Sequence, residues 1–498
     1  MMPSRTLRAG ACLTALMIAP AARADVTAQQ VWEAWQKGMS QYATDAQITT
    51  GAVDQSGNTV TVTDFTLARD VDGDSLRITI PQIIFAGNDD GTVSITSSDT
   101  GAVRMGVQNG TDIALSVAQA GAAIIASGTP ADLTYDVSAD QYTVTVDTLK
   151  TPEGSVTGDM RVTLNGVKGR SSTATGDMVD TTYDVTAATV DLLVDVTTPD
   201  DGSLMVSGKI DGLAAAGNST APADLDITDP AAMFAGDYVA KGSYTSGPSA
   251  YIIAVDGPTT MNGTSTTGPG SMTYNVGAEG LGYEISVMDV TADLTSSEMP
   301  FPFRLSAASY DIALRSPLAP TDAPVPFRLM FGLTDVTVND EIWAMFDPTA
   351  ALPRDPATIR LDLSGAAQLD RSIMDPAQAE ALAMQPGFPG RIENLALNDL
   401  TIDAVGLNVT GTGDFTFDNT DTTTFPGLPN PTGAVTIDVI GANALIDKLI
   451  AMGLVPAEQA MMPRMMLGMF AKSTGDDALQ SVIEIKEGQV LANGQRIR

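Results

Sequence analysis

Histidine is absent from the sequence, and cysteine occurs once, at Cys12. Those two gaps remove most enzyme chemistry. Acid/base catalysis near neutral pH leans on His, thiolate attack needs Cys, and the common zinc and copper sites draw on both. Aromatic residues make up only 5% of the chain, fewer than a sugar cleft normally uses as platforms. Basic residues are scarce as well: 26 Lys plus Arg stand against 60 Asp plus Glu, for a formal net charge of -34. A surface of that sign repels phosphate backbones and anionic headgroups, and the few lysines are scattered, so no nucleic-acid partner is expected. The acidity reads instead as a solvated face suited to salty surroundings. Long hydrophobic runs are missing too. The longest weakly polar stretch, Ile113 to Ala126, is broken by Ser116, Gln119 and Gly121 and falls short of the roughly 20 residues that span a bilayer.

What is present begins with an export signal. Arg5 and Arg8 form a positive start, Ala9 to Ala19 a short apolar stretch ended by Pro20, and Ala22-Arg23-Ala24 a small-x-small cleavage site. Cys12 stands at the start of the apolar stretch, with no hydrophobic segment before it, so a lipoprotein signal is excluded. Cleavage is expected after Ala24, leaving a periplasmic protein with no transmembrane segment. Removing Arg5, Arg8 and Arg23 moves the net charge from -34 to -37.

At 498 residues the chain exceeds the roughly 250–300 residues at which one core stops growing, so it forms either two domains or one elongated sheet. Val, Ile, Thr, Gly and Asp dominate, as alternating strands with tight turns require. Period-two segments recur: Thr59–Thr63, Ser75–Ile80, Tyr142–Val146, Arg161–Leu164 and Leu204–Ser207, then Thr358–Leu363, Asn394–Leu397, Leu407–Thr410 and Ala434–Val439. Asp90-Gly91, Asn109-Gly110, Asn165-Gly166 and Asp201-Gly202 read as hairpin turns between strands. No long helical pattern separates the strands, which argues against a parallel βαβ sheet.

Three stretches interrupt the strands. A helix over about Thr27 to Tyr42 gathers Val31, Trp32, Trp35 and Met39 on one face; its other face lacks a Lys/Arg row, so it reads as a lid on the sheet end rather than a membrane-surface helix. A proline-dense middle, Pro300 to Pro356, holds two similar phrases, Pro302-Phe303-Arg304-Leu305 and Pro326-Phe327-Arg328-Leu329. Its Trp343 to Pro356 portion reads as a helical turn and a rigid loop, either a docking surface or a fixed corner of the sheet. Near the C-terminus, Asn443 is placed to cap a helix bearing Leu445, Ile446, Leu449 and Ile450, which stops near Gly453. After Pro456 a second helix carries Met461, Met462, Met465, Met466 and Met469. That soft stripe is expected to pack against the sheet or to line a groove holding an acyl chain. A Cu(I) thioether site is disfavoured, since Pro463 kinks the array and no His assists.

Asp70-Val71-Asp72-Gly73-Asp74-Ser75 alternates oxygen ligands, as part of a calcium loop would, but it lacks the spacing and terminal Glu of an EF-hand, so a polar hairpin turn explains it better. No Ser-x-x-Lys dyad, phosphate loop or dinucleotide fingerprint appears. A carboxylate pair could in principle hydrolyse glycosides, yet nothing singles one out.

Four passages carry a family likeness: Trp343 to Pro356, Gly411-Thr412-Gly413-Asp414-Phe415-Thr416-Phe417-Asp418, Gly441 to Leu449, and Ala492-Asn493-Gly494-Gln495-Arg496-Ile497-Arg498. They resemble the bacterial family called domain of unknown function 2125, and the resemblance extends over most of the chain past residue 24. It implies no catalytic residues. At the level of architecture alone, the chain is similar to AsmA-like and YdgA-like envelope proteins, which implies strands curved into an apolar, lipid-handling groove.

The resulting expectation is a mainly β protein: an elongated, curved antiparallel meander with a short N-terminal helix and a C-terminal helix pair. Its organisation is a signal peptide at 1–24, a β-rich half with leading helix at 25–255, and a second half at 256–498 with the proline-rich middle and the Met-rich helix pair. The expected function is non-enzymatic: binding of an apolar ligand such as a lipid, or envelope maintenance with an envelope protein partner, and no cofactor. Ligand contacts are expected at Met461, Met462, Met465, Met466, Met469, Leu445, Leu449, Trp32 and Trp35. A scaffold with a filled interior and a carboxylate-based hydrolase are the alternatives.

Overall fold

The computed structural model of the protein describes residues 25–42, 46–71, 73–197, 202–225, 234, 236–374 and 390–498. The export signal, with Cys12 and the cleavage point at Ala24, lies outside them, as do Asp72 and Asp201. The described strands join into one sheet of 27 strands. The expected period-two segments all fall in strands, and neighbouring strands run antiparallel. The sheet is continuous through residue 256, where Ser249–Asp256 pairs with Met261–Thr267.

Its central strands are long: Asp132–Thr151, Gly154–Thr175, Met178–Thr197 and Ser203–Pro222 run 20 to 22 residues each, several times the usual strand length. A single crease crosses them all. Along it the pairing lapses for one residue on each strand, with the register the same on either side: Asp64 opposite Pro81, Asp140 opposite Gly166, Ala188 opposite Gly212, and Asp289 opposite Ala308. Asp64, Gly121, Gly166, Gly212, Asp289 and Asp335 hold φ between 50° and 72° there, the left-handed region that Gly and, less readily, Asp adopt. Elsewhere on the line the strand simply breaks, at Gly247-Pro248 and Gly268-Pro269. Asn165-Gly166 is therefore no hairpin turn. It lies mid-strand, and its φ > 0 residue serves a bulge. Asp90-Gly91 and Asn109-Gly110 do join strands.

Each bulge adds one residue, so the inward positions change parity as a strand crosses the crease. Leu133, Tyr135, Val137 and Ala139 face inward before it, and Tyr142, Val144 and Val146 after it. On the paired strand the same face shows Val167, then Leu164 and Val162. A bulge bends its strand, and bulges stacked rung on rung fold the sheet along one line, toward the apolar side. At the apex Ala139, Val167 and Ala187 are buried, with Tyr142, Leu164, Val190 and Leu213 packed around them.

Helices sit at the ends. Helix α1, Ala28–Tyr42, starts at a reciprocal cap in which the Thr27 N–H donates to Gln30 Oε1 and the Gln30 N–H to Thr27 Oγ1. Its Val31 and Trp32 close a core with Val60, Val62, Phe65, Ile83 and Phe85, as the lid reading expected. Helix α2, Asp340–Phe346, leads into a corner built on Asp347. That buried carboxylate accepts the N–H groups of Ala351 and Leu352 at 2.9 Å each, while the Arg354 guanidinium lies over the Trp343 ring and pairs with Asp340. The fixed-corner reading holds for this stretch.

Helices α3, Ala442–Ala451, and α4, Ala457–Phe470, form the expected pair, joined by an Arg464–Asp447 ion pair. The cap differs from expectation: Gly441 occupies the capping position, and Asn443 itself donates. Asp477, across a hairpin, accepts the N–H groups of Asn443 and Ala444. Among the described residues no helix is long and apolar enough to cross a membrane.

Candidate functional site

The chemistry available here is that of a surface. Inward positions follow one another across paired strands with little interruption, from Phe85 and Ile83 through Val162 and Leu192 to Leu314, Leu363 and Ile437. Outward positions carry the acids and their ion pairs, such as Arg170–Asp136 at 2.7 Å and Arg328–Asp362 at 3.0 Å. Helix α1 covers the inner face only over the first strands. Farther on the face lies open: Leu329, Phe331 and Ile359 keep 48%, 37% and 45% of their surfaces exposed.

Two cavities open on the inner face. One, of about 360 Å³, lies beside α1 and is lined by Trp35, Met39, Leu133, Tyr135 and Val179; the other, of about 180 Å³, lies against Ile78, Ile80, Val103 and Val117. Burial pushes the Tyr135 hydroxyl up to about 12, so it stays protonated in the first cavity. The outer face has a hollow of about 700 Å³ between Arg161, Lys209 and several threonines, but both cations are already paired, with Asp159 and Asp211.

Midway along, the inner face changes character. The Tyr183 and Tyr274 rings lie along the sheet and their hydroxyls meet at 2.9 Å, while the Tyr244 ring stands 6.3 Å from that of Tyr274. The strands between are glycine at the points of contact. A Cβ at Gly217 would come within 2.8 Å of the Tyr183 hydroxyl, and one at Gly242 within 2.6 Å of the Tyr274 ring. The hydrogen bond to Tyr274, with burial second, raises the Tyr183 pKa further above its ordinary value.

The residues expected to contact ligand divide into two groups at opposite ends of the sheet. Trp32 is buried against Phe65 and Phe85, 6.3 and 5.6 Å between ring centres; Trp35 is half-buried at the 360 Å³ cavity. Leu445 and Leu449 are half-buried. Met461, Met462, Met465, Met466 and Met469 do not pack against the sheet: they stand 50–66% exposed on α4. That stripe reads as core in composition, but α4 is held at its end, where the Phe470 carbonyl accepts from Ser481 and Asn493. The tyrosines escaped the sequence reading, because residues 91 positions apart share no local pattern. Among the described residues no group of three or more His, Cys, Asp or Glu is placed to hold a metal ion.

A family profile described as uncharacterized protein conserved in bacteria (DUF2125) matches residues 223–497. The match takes in the corner, the helix pair and the C-terminal strands, and it leaves α1 and the long central strands outside. No curated protein matches the sequence.

Proposed function

The chain belongs to the DUF2125 family, whose description assigns no activity, and on that premise we propose a non-enzymatic periplasmic binding protein that holds an apolar ligand, a lipid acyl chain, along the inner face of the creased sheet. The observation that carries this reading is the open apolar face. Aliphatic side chains occupy its inward positions from strand to strand, yet beyond α1 no layer formed by the described residues covers them. Exposed contiguous apolar surface of this extent marks a binding surface. The test is native mass spectrometry of protein purified from its own periplasm, together with uptake of diphenylhexatriene by delipidated protein. Co-purifying lipid and dye uptake are expected; the absence of both overturns the reading. N-terminal sequencing of the exported product is expected to begin at Asp25.

A scaffold with a filled interior is the second reading. It draws on the apex cluster of Ala139, Val167 and Ala187, which leaves no room at the bottom of the fold. The same uptake measurement separates the two.

A further inference from the structure

We propose that the tyrosine platform at the middle of the inner face is a seat for the uncharged, hydrogen-bonding headgroup of an amphiphile, a lipid whose polar end offers hydroxyl or ester oxygens and no charge. This inference rests on the apolar-ligand reading above and specifies the ligand class for it.

The argument starts from composition. Tyrosine is rare, ten among 498 residues, yet Tyr183, Tyr244, Tyr274 and Tyr283 all occupy inward positions on one wing, within five consecutive rungs. A core that only needed filling would be served by Leu or Phe, as it is on either side. Tyrosine instead places a hydroxyl on an aliphatic face, where an unmatched polar group is costly.

The backbone is adapted to those rings. Tyr183 lies over Gly217 and Tyr274 over Gly242, and a Cβ at either glycine would displace the aromatic side chain. Two adjacent strands thus give up side chains so that the rings can lie flat and their hydroxyls meet. The pair satisfies itself only in part. The Tyr183 hydroxyl also interacts with that of Tyr244; the three hydroxyls hold three donor hydrogens, two mutual bonds use two of them, and one remains for a ligand oxygen.

Charge selects the ligand. No inward position of these five rungs is charged, and the polar inward groups beside the tyrosines carry hydroxyls, such as Ser171 opposite Tyr183 and Ser219 two residues from Gly217. A carboxylate or phosphate here would lose its hydration without gaining a cation, whereas a neutral glycerol or ester group meets only neutral partners. Aliphatic surface continues toward both ends of the sheet, so the acyl chain lies on Val, Leu and Ile while the head stays at the tyrosines.

The experiment compares three probes on delipidated full-length protein: monooleoylglycerol, oleate, and diphenylhexatriene, which has no polar group. Monooleoylglycerol is expected to bind at least tenfold more tightly than oleate at pH 8. In the Tyr183→Phe/Tyr274→Phe double variant that preference is lost, with about tenfold weaker monooleoylglycerol binding, while diphenylhexatriene uptake is unchanged and so reports an intact apolar face. Equal affinity for the two lipids, or a double variant that retains the preference, overturns this inference and leaves the apolar-ligand reading standing. Failure of all three probes to bind overturns both. Should the double variant lose dye uptake as well, Tyr244→Phe alone decides, with at least a threefold loss of monooleoylglycerol affinity expected and no loss counting against the seat.

Discussion

Single residues do unusual structural duty in this sheet, and two make sharp tests. Gly242 has no room for a methyl group beneath the Tyr274 ring. Gly242→Ala is expected to cost about 1–3 kcal/mol, as overpacking of ordered side chains does, read as a lowered denaturant midpoint. Asp477 caps α3 from another element, and its removal is expected to cost about 1 kcal/mol, the usual worth of a helix cap. Burial opposes ionisation of that carboxylate, but the N–H groups of Ala444 and Asn443 and the Asn443 amide outweigh it and hold its pKa below the ordinary value. A depressed folded-state pKa contributes stability above the unfolded pKa of roughly 4 and loses it as pH falls through the folded one. Thermal melts of Asp477→Asn should therefore differ from the parent at pH 7 and converge with it in strong acid.

Among the elements, α1 and α4 behave oppositely: α4 is the more apolar of the two, yet it is α1 whose apolar face is buried. The Trp32 face of α1 is the lid of the best-packed region, where Phe85 is fully buried between Trp32 and Trp35. Phe85→Ala is expected to cost about 3–5 kcal/mol, measured by denaturant unfolding. The Met face of α4 packs on nothing described. Dilute peroxide followed by peptide mass spectrometry is expected to oxidise Met461, Met462, Met465, Met466 and Met469 ahead of the half-buried Met272, because oxidation of thioethers follows exposure. Here sequence reading reaches its limit. Periodicity marks a helix face as apolar, but whether the fold supplies a partner for that face is decided by connections made elsewhere. Strands were legible for the converse reason, since alternation and tight turns are local properties. The N-terminal helix was legible too, while its Thr27–Gln30 cap and the distant Asp477 cap were not singled out.

For the whole molecule, a meander of roughly twenty rungs at about 4.8 Å spacing reaches on the order of 95 Å. Small-angle scattering is expected to give a radius of gyration well above the roughly 23 Å of a compact chain of this length; a value near that figure would contradict the extended sheet. The crease is the part of this architecture least visible in the sequence. Its positive-φ residues are Gly and Asp, which signal turns, and Asn165-Gly166 imitates a hairpin while lying in the middle of a 22-residue strand. The family match begins at residue 223, so the longest creased strands are features of this chain outside the matched region.

Because each long strand that crosses the fold line carries one extra residue there, the two wings obey opposite odd and even rules. Deleting Gly166 alone would put both halves of that strand on a single count, turning Val167 out into water on one wing and swinging Lys168 and Arg170 in. Insertions and deletions in this protein should thus be far less forgiving at the centre of a strand than in the hairpins at its margins, the reverse of what a glycine-marked loop would lead an engineer to assume.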